Sequence, residues 1–323
     1  MMKYIGILVL ALVIQVLPLH ACDLCSVYNF VEASSGSKGN LNTGVSYRVT
    51  HYASNVRPDG FEKFPGQHLD SNIWQLYGNY SLSEQLSAQV NLPLIYKDYR
   101  RLRDGRVENG SESGIGDASF LLRYAPFQRF EDDSASRLEF FTGVKLPTGD
   151  SDPLKVERDQ YVTALMRHSS IDGSLVGGDD LALGSGSYDF LFGTNGFHQM
   201  GRMYFQGSLQ YSLRQEGDYD YEYGDDFQWE IGPGYYLILE DEQTLSARIR
   251  FSGEYKKEDS IVGIELAGSD EYTNYLGFEL NYSHGSNWFA NLGIDLPVVT
   301  ESAEEQVVPR YRMLASVVRK IRF

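Results

Sequence analysis

The chain has 323 residues, a net charge of −16, and is rich in Tyr (23), Phe (17) and Gly (32). That charge excludes nucleic-acid binding, which needs a basic footprint. The aromatic and glycine content favours strands and turns over helices, and the length suits one large domain or two ordinary ones.

At the N-terminus, Lys3 precedes an apolar run from Ile5 to Leu17, and Leu19-His20-Ala21 follows before Cys22. A basic start, an apolar core and a small residue at the cut predict a signal peptide over 1–21. The run is too short to span a bilayer, which takes about 20 residues, and no later stretch reaches that length. Residues 22–40 then form a periplasmic lead-in carrying both cysteines, Cys22 and Cys25. Three readings of this CxxC stay open: a small-loop disulfide in an oxidising periplasm, a lipid on Cys22 after a loose lipobox, or a metal or redox site built from Cys22 and Cys25. Ser26 follows Cys25, so the haem-attachment pattern CxxCH fails.

From residue 41 onward the period is two, the signature of half-buried strands. Leu41, Thr43, Val45, Tyr47 and Val49 alternate with Asn42, Gly44, Ser46, Arg48 and Thr50. A polar segment to about residue 71 precedes a strand with Trp74, Leu76, Tyr80 and Leu82, turned at Ser83-Glu84 into one with Leu86, Ala88, Val90 and Leu92. Residues 98–113 read as a charged loop. Residues 114–150 read as a long hairpin, with Asp117 and Arg123 on the polar face of one strand and Glu139 and Lys145 opposite the apolar face of the next. Residues 150–186 read as the longest irregular segment, and loops of that length are functional or disordered. Further strands run through Phe190, Phe205, Trp229, Ile249, Phe278 and Ile294 to the C-terminus. In the strand at 245–256, Leu245, Ala247, Ile249 and Phe251 oppose Ser246, Arg248, Arg250, Ser252 and Glu254.

Alternation alone fits a soluble sandwich or an inverted membrane barrel. Three features select the barrel. Connections alternate between long, acidic loops and short turns at 83–84, 199–201, 240–242 and 284–286. About twelve strands leave both ends on the periplasmic side. The terminal Phe323, with Ile321 two before it, resembles the signal read by barrel-assembly machinery. Arg319 falls on the apolar parity near that end, where it can snorkel to the interface. The expected fold is an all-β, transmembrane, antiparallel up-and-down barrel over 41–323, with long extracellular loops and short periplasmic turns, in contact with outer-membrane lipid and lipopolysaccharide.

Gly114-Ile115-Gly116-Asp117, Gly143 to Asp150 (GVKLPTGD) and Leu183 to Ser187 (LGSGS) resemble one family, the outer-membrane transporter-like barrels of the meta-pathway of phenol degradation. The resemblance implies a channel for small solutes, aromatic or apolar compounds among them. In such a barrel Arg48, Asp117, Arg123, Glu139, Lys145, Glu230, Arg248, Arg250, Glu279 and Asp295 would line the lumen. Charges of both signs in a confined space pair, either as a packed, salt-bridged interior or as a narrow polar pore whose charges select solutes. The 150–186 segment is the candidate plug. No cofactor is expected, and since neither an energy-coupling motif nor a nucleotide site is visible in the sequence, transport would be downhill diffusion.

Two other readings come from motifs. His284-Gly285-Ser286-Asn287 resembles the His-x-Ser-Asn core of outer-membrane phospholipase A, where His activates Ser. The expected topology puts it at a periplasmic turn, and Trp288 stands where that motif has Gly. The acidic loop with Glu216, Asp218, Asp220, Glu222, Asp225 and Asp226 has oxygen ligands suited to Ca²⁺, but its spacing fits no defined calcium loop. A plugged barrel that docks a metal or electron carrier at its CxxC is the remaining alternative to a channel.

Overall fold

The computed structural model describes residues 38–54, 66–103, 105–131, 133–163, 174–302 and 306–323. The expected signal peptide, the CxxC segment with Cys22 and Cys25, and part of the 150–186 segment lie outside the described residues.

Alternation of polar and apolar side chains over about a dozen residues at a time produces β1 (Asn40–Ser54), β2 (His68–Ser81), β3 (Leu86–Arg103), β4 (Arg106–Ile115), β5 (Ser119–Glu131), β6 (Ser134–Lys145), β7 (Asp189–Met200) and β8 (Met203–Leu213). After a two-residue β9 (Tyr221–Glu222) come β10 (Asp226–Leu239), β11 (Gln243–Lys256), the short β12 (Ser260–Ile261) and β13 (Ile264–Glu265), then β14 (Glu271–His284), β15 (Trp288–Ser302) and β16 (Val307–Arg322). The long strands pair antiparallel with their neighbours, β16 pairs with β1, and β2 pairs with β3, so the sheet closes. Closure removes the sheet edges.

β4 and β5 are two halves of one stave. β4 pairs with the outer part of β3, Leu94 to Arg103, and β5 with the inner part, Leu86 to Asn91. Counting them once gives a closed barrel of 12 strands. β9, β12 and β13 form a separate three-stranded patch in the outer loops.

The side chains are inverted relative to a soluble protein. On β11, Arg248 and Arg250 are 2% and 6% exposed, while Ile249 and Phe251 are 56% and 43% exposed. The same belt of outward Leu, Ile, Phe and Val runs round the other strands. A soluble protein does not leave so continuous an apolar surface in water; a lipid-facing barrel must. At the periplasmic rim the Arg319 guanidinium lies over the outward Trp288 ring, 5.2 Å from its centroid. This is the interfacial arrangement that a charge on apolar parity requires. Among the described residues no helix is long and apolar enough to cross a membrane.

Two segments differ from the sequence expectation. Residues 98–113 are not a loop: β3 and β4 extend as a hairpin above the barrel. Beyond the buried Tyr99 its two faces are both mostly polar, so burial imposes little contrast along it. The 150–186 segment is not irregular throughout, since it carries α1 (Asp152–Thr163) and the one-turn α2 (Gly178–Leu181). The acidic loop at 215–226 contains a 3₁₀ turn at Asp218–Asp220 and β9.

Candidate functional site

The inward face changes character along the barrel axis. In the periplasmic half it is polar, with Ser46, Arg48, Gln75, Gln89, Asn91, Asn195, Gln210 and Ser316 all buried. Towards the outer mouth the same parity on β1, β2 and β3 turns apolar, at Tyr52, Leu69, Ile73, Ile95 and Tyr99.

These apolar positions receive the described part of the 146–188 insertion, residues 146–163 and 174–188. Leu175, Val176 and Leu181 form one core with Tyr52, Leu69, Tyr99 and Val307, and Leu183 packs on Ile73 and Ile95. On its other side Leu154, Tyr161 and Ala182 pack against Tyr221, Tyr223, Ile261 and Leu266 of the outer loops. Lys97 of β3 donates to the carbonyls of Asp180 (2.6 Å) and Ala182 (3.0 Å), meeting the negative end of the α2 turn. The insertion is thus a plug seated inside the outer mouth.

The plug is fastened at the break between β4 and β5. Asp117, expected on a strand face, lies in that break. Its carboxylate accepts from the backbone N–H of Thr148 (3.1 Å), Gly149 (2.9 Å) and Ser185 (2.9 Å), and from the Ser185 hydroxyl (3.0 Å). It also pairs with Lys145 at 3.0 Å. Both ends of the insertion are therefore tied to one carboxylate. Close approach at this knot needs glycine: a Cβ on Gly149 would sit 2.5 Å from the Leu183 carbonyl oxygen, and one on Gly184 would sit 2.7 Å from Gly149 Cα. The three glycine-bearing motifs met in the sequence converge here, in one knot between barrel and plug.

Below the plug, the buried charges are ordered in three ion-pair groups. Lys145 bridges Asp117 and Asp189 (2.6 Å), and Arg214 joins Asp189 (2.7 Å) to Asp226 (2.6 Å). Arg123 binds Glu139 at 2.5 Å and donates to Gln89 at 2.7 Å, while Arg137 holds the other Glu139 oxygen at 2.5 Å. On the facing wall Arg248 meets Glu230 (3.1 Å), Arg250 meets Glu279 (3.0 Å) and Asp295 (2.8 Å), and Arg312 meets Asp295 (3.0 Å) and Glu254 (3.5 Å). Arg48 is buried on the wall of the cavity that Arg248, Arg250 and Glu279 also line. Of the ten residues singled out from sequence, nine fall into these groups. Arg137, Asp189, Arg214, Glu254 and Arg312 were not singled out, and Asp226 was read only as part of the acidic loop. Glu254 shares the parity of Arg248 and Arg250, so that strand already carried its signal; Arg312 is matched only through the β15–β16 register, where it faces Asp295.

The lumen encloses a cavity of about 610 Å³ in the periplasmic half. Aromatic rings interrupt its polar lining: Phe197, Tyr204 and Tyr236 form a continuous shelf, with centroids 5.7 and 5.1 Å apart. Gly234 makes room for it, because a Cβ there would lie 2.1 Å from the Tyr204 ring. The Tyr204 hydroxyl is within 3.0 Å of Ser246 Oγ.

The His284 to Asn287 segment forms the β14–β15 turn at the periplasmic rim. Ser286 Oγ accepts from Arg322 at 2.7 Å, and His284 stands on the outward parity of β14 with Tyr282.

Inverted alternation, closure and an even count of antiparallel strands define an outer-membrane β-barrel protein of a Gram-negative bacterium. The fold matches that of the COG4313 outer membrane channel from Pseudomonas putida F1, with a TM-score of 0.63 and 15% identity over 92% of this chain and 100% of that one. More distant matches are the translocator domain of autotransporter NalP from Neisseria meningitidis (TM-score 0.42, 11% identity, 89% of each chain) and the beta domain of the Bordetella autotransporter Brka (TM-score 0.44, 9% identity, 88% and 100%). No protein-family model and no curated protein matches the chain.

Proposed function

We propose that this barrel is a passive channel for small molecules, closed at its outer mouth by the 146–188 plug. The observation that carries the reading is the cavity of about 610 Å³ beneath a plug held in the mouth, among the described residues, by hydrogen bonds and apolar packing. That volume falls in the range of small-molecule sites, about 300–1,000 Å³. Displacing the plug joins the cavity to the exterior, and the sequence shows no energy-coupling motif, so transport would run downhill.

The proposed solutes are small, neutral and partly apolar, in keeping with the resemblance to barrels of phenol degradation. Most of the charges on the lumen wall are engaged with one another in ion pairs, which favours a neutral solute over one that would have to break them. The Phe197–Tyr204–Tyr236 shelf offers ring faces for stacking, with a nearby hydroxyl pair for one polar group. The charged groups singled out from sequence serve in this reading as the framework of the lumen, and the aromatic shelf as the contact surface.

Uptake into proteoliposomes tests this. Phenol should enter faster than a hexose at equal concentration, and Tyr204→Ala should narrow the difference. Equal entry of both solutes, or none of either with the plug deleted, would contradict the proposal.

A further inference from the structure

On the outside of the barrel, the apolar belt of β1–β3 gives way at the extracellular rim to histidine and aspartate. The belt ends in an interfacial pair, Tyr47 and Trp74, with ring centroids 4.5 Å apart, and the Tyr47 hydroxyl donates to Asn72 at 2.7 Å. Beyond it, strand register sets His51, Asp70 and Asp98 in one row across three strands, His51 opposite Asp70 and Asp70 opposite Asp98. His68 stands two residues from Asp70 on the same face.

Two carboxylates directly opposite on paired strands repel. Here a donor atom from each of His68, Asp70 and Asp98 lies within 4.8 Å of the others. His51 Nδ1 is 2.6 Å from Asp70 Oδ1, and its ring stacks on Tyr311 at 5.4 Å. Asp98 has no hydrogen-bond or ion-pair partner among the described residues. A cation resolves the repulsion. Magnesium and calcium take all-oxygen shells, whereas an imidazole beside two carboxylates suits a first-row divalent transition metal.

We propose that His68, Asp70 and Asp98 are the protein ligands of a divalent transition-metal site on the outer rim. Three ligands leave the remaining coordination to water. His51 is a positioning residue: its bond to Asp70 fixes that carboxylate, as outer partners of metal ligands do.

The site has a mechanical consequence. Alternation along the strands places Tyr52 beside His51, Leu69 between His68 and Asp70, and Tyr99 beside Asp98. These three inward residues are the seat on which Leu175, Val176 and Leu181 of the plug rest. A metal holding β2 to β3 from outside stiffens that seat from inside, so metal binding favours the closed plug.

Zinc titration by calorimetry tests the site, using refolded, chelator-treated protein from residue 22 onward with Cys22→Ser and Cys25→Ser. Removing the thiols keeps the N-terminal CxxC from contributing. Barrel folding of each variant is checked by its heat-dependent gel mobility. One zinc per chain is expected, with affinity at least tenfold weaker in His68→Gln and in Asp98→Asn. A loss of about 10–100-fold is expected in His51→Gln, the usual effect of an outer partner. Absence of stoichiometric binding by the folded parent, or unchanged binding in folded His68→Gln and Asp98→Asn, overturns the proposal. Neither outcome depends on whether the lumen conducts.

Discussion

The carboxylate of Asp117 accepts a hydrogen bond from the backbone N–H of Ser185 at 2.9 Å, across 68 residues of sequence. Through the same side chain it holds Gly149 at 2.9 Å, so one residue in a strand break fastens both ends of the plug. Asp117→Ala should loosen the plug and raise the open probability in planar bilayers. It takes the acceptor from three backbone N–H groups and the Ser185 hydroxyl and one partner from Lys145, at a cost of about 1–3 kcal/mol for each group left buried and unsatisfied. In a chain lacking residues 151–184 the same substitution should leave conductance unchanged. An effect of equal size there would separate Asp117 from plug retention.

Gly149 and Gly184 pack with their backbones in contact, and the atoms in the way of a side chain at Gly149 are backbone. Gly149→Val should therefore destabilise the closed plug by overpacking, typically about 1–3 kcal/mol. Protease digestion of the folded barrel reads this directly, as faster cleavage within 150–186. The control Gly263→Ala lies in open space in the outer loops and should leave that rate nearly unchanged, apart from the strain of its positive φ.

Glu157 of α1 faces Asp179 and accepts from the Gly178 N–H at 2.9 Å. Burial in the crevice, and then the Asp179 charge, push its carboxyl up to about 7 from 4.5, while Arg101 opposes the rise. Asp180 is raised for the same two reasons, with Lys97 and Lys256 opposing, and Asp259 adds a further negative charge near Glu157. A folded-state value above the unfolded one means that the stabilisation is complete below pH 4.5 and lost as pH rises through about 7. Conductance should accordingly be higher at pH 8 than at pH 5, and Glu157→Gln should flatten the dependence. The opposite slope in the parent chain would contradict this assignment.

Asp295 is fully buried and shared by Arg250 and Arg312. Removing one member of a buried network leaves its partners uncompensated, at a cost of about 3–5 kcal/mol. Asp295→Ala should lower the urea midpoint for unfolding of the refolded barrel by that much, and Asp295→Asn by less. A change near zero would mean that water in the lumen screens the group.

The barrel was legible because each strand states its two environments in alternate residues. Ile249 and Phe251 against Arg248 and Arg250 needed only the lipid to explain them. The plug was legible in length alone. Leu175, Val176 and Leu181 follow no strand period, and their partners Tyr52, Leu69 and Tyr99 are far away in sequence. A local sign did exist: Leu69, Ile73, Ile95 and Tyr99 are apolar on the parity that elsewhere carries Ser71, Gln75, Lys97 and Asn91. An apolar residue on the lumen parity marks the depth at which something other than water fills the barrel. Beyond Tyr99 the β3–β4 hairpin lacked such a sign, because its remaining side chains are mostly polar on both faces.

The most direct test replaces residues 151–184 with a short Gly-Ser linker and compares single-channel conductance with that of the parent chain. The plug account predicts brief or small openings in the parent and a larger, steady conductance in the deletion. Equal conductance in two properly folded barrels would contradict it, and the lumen itself would then be the barrier.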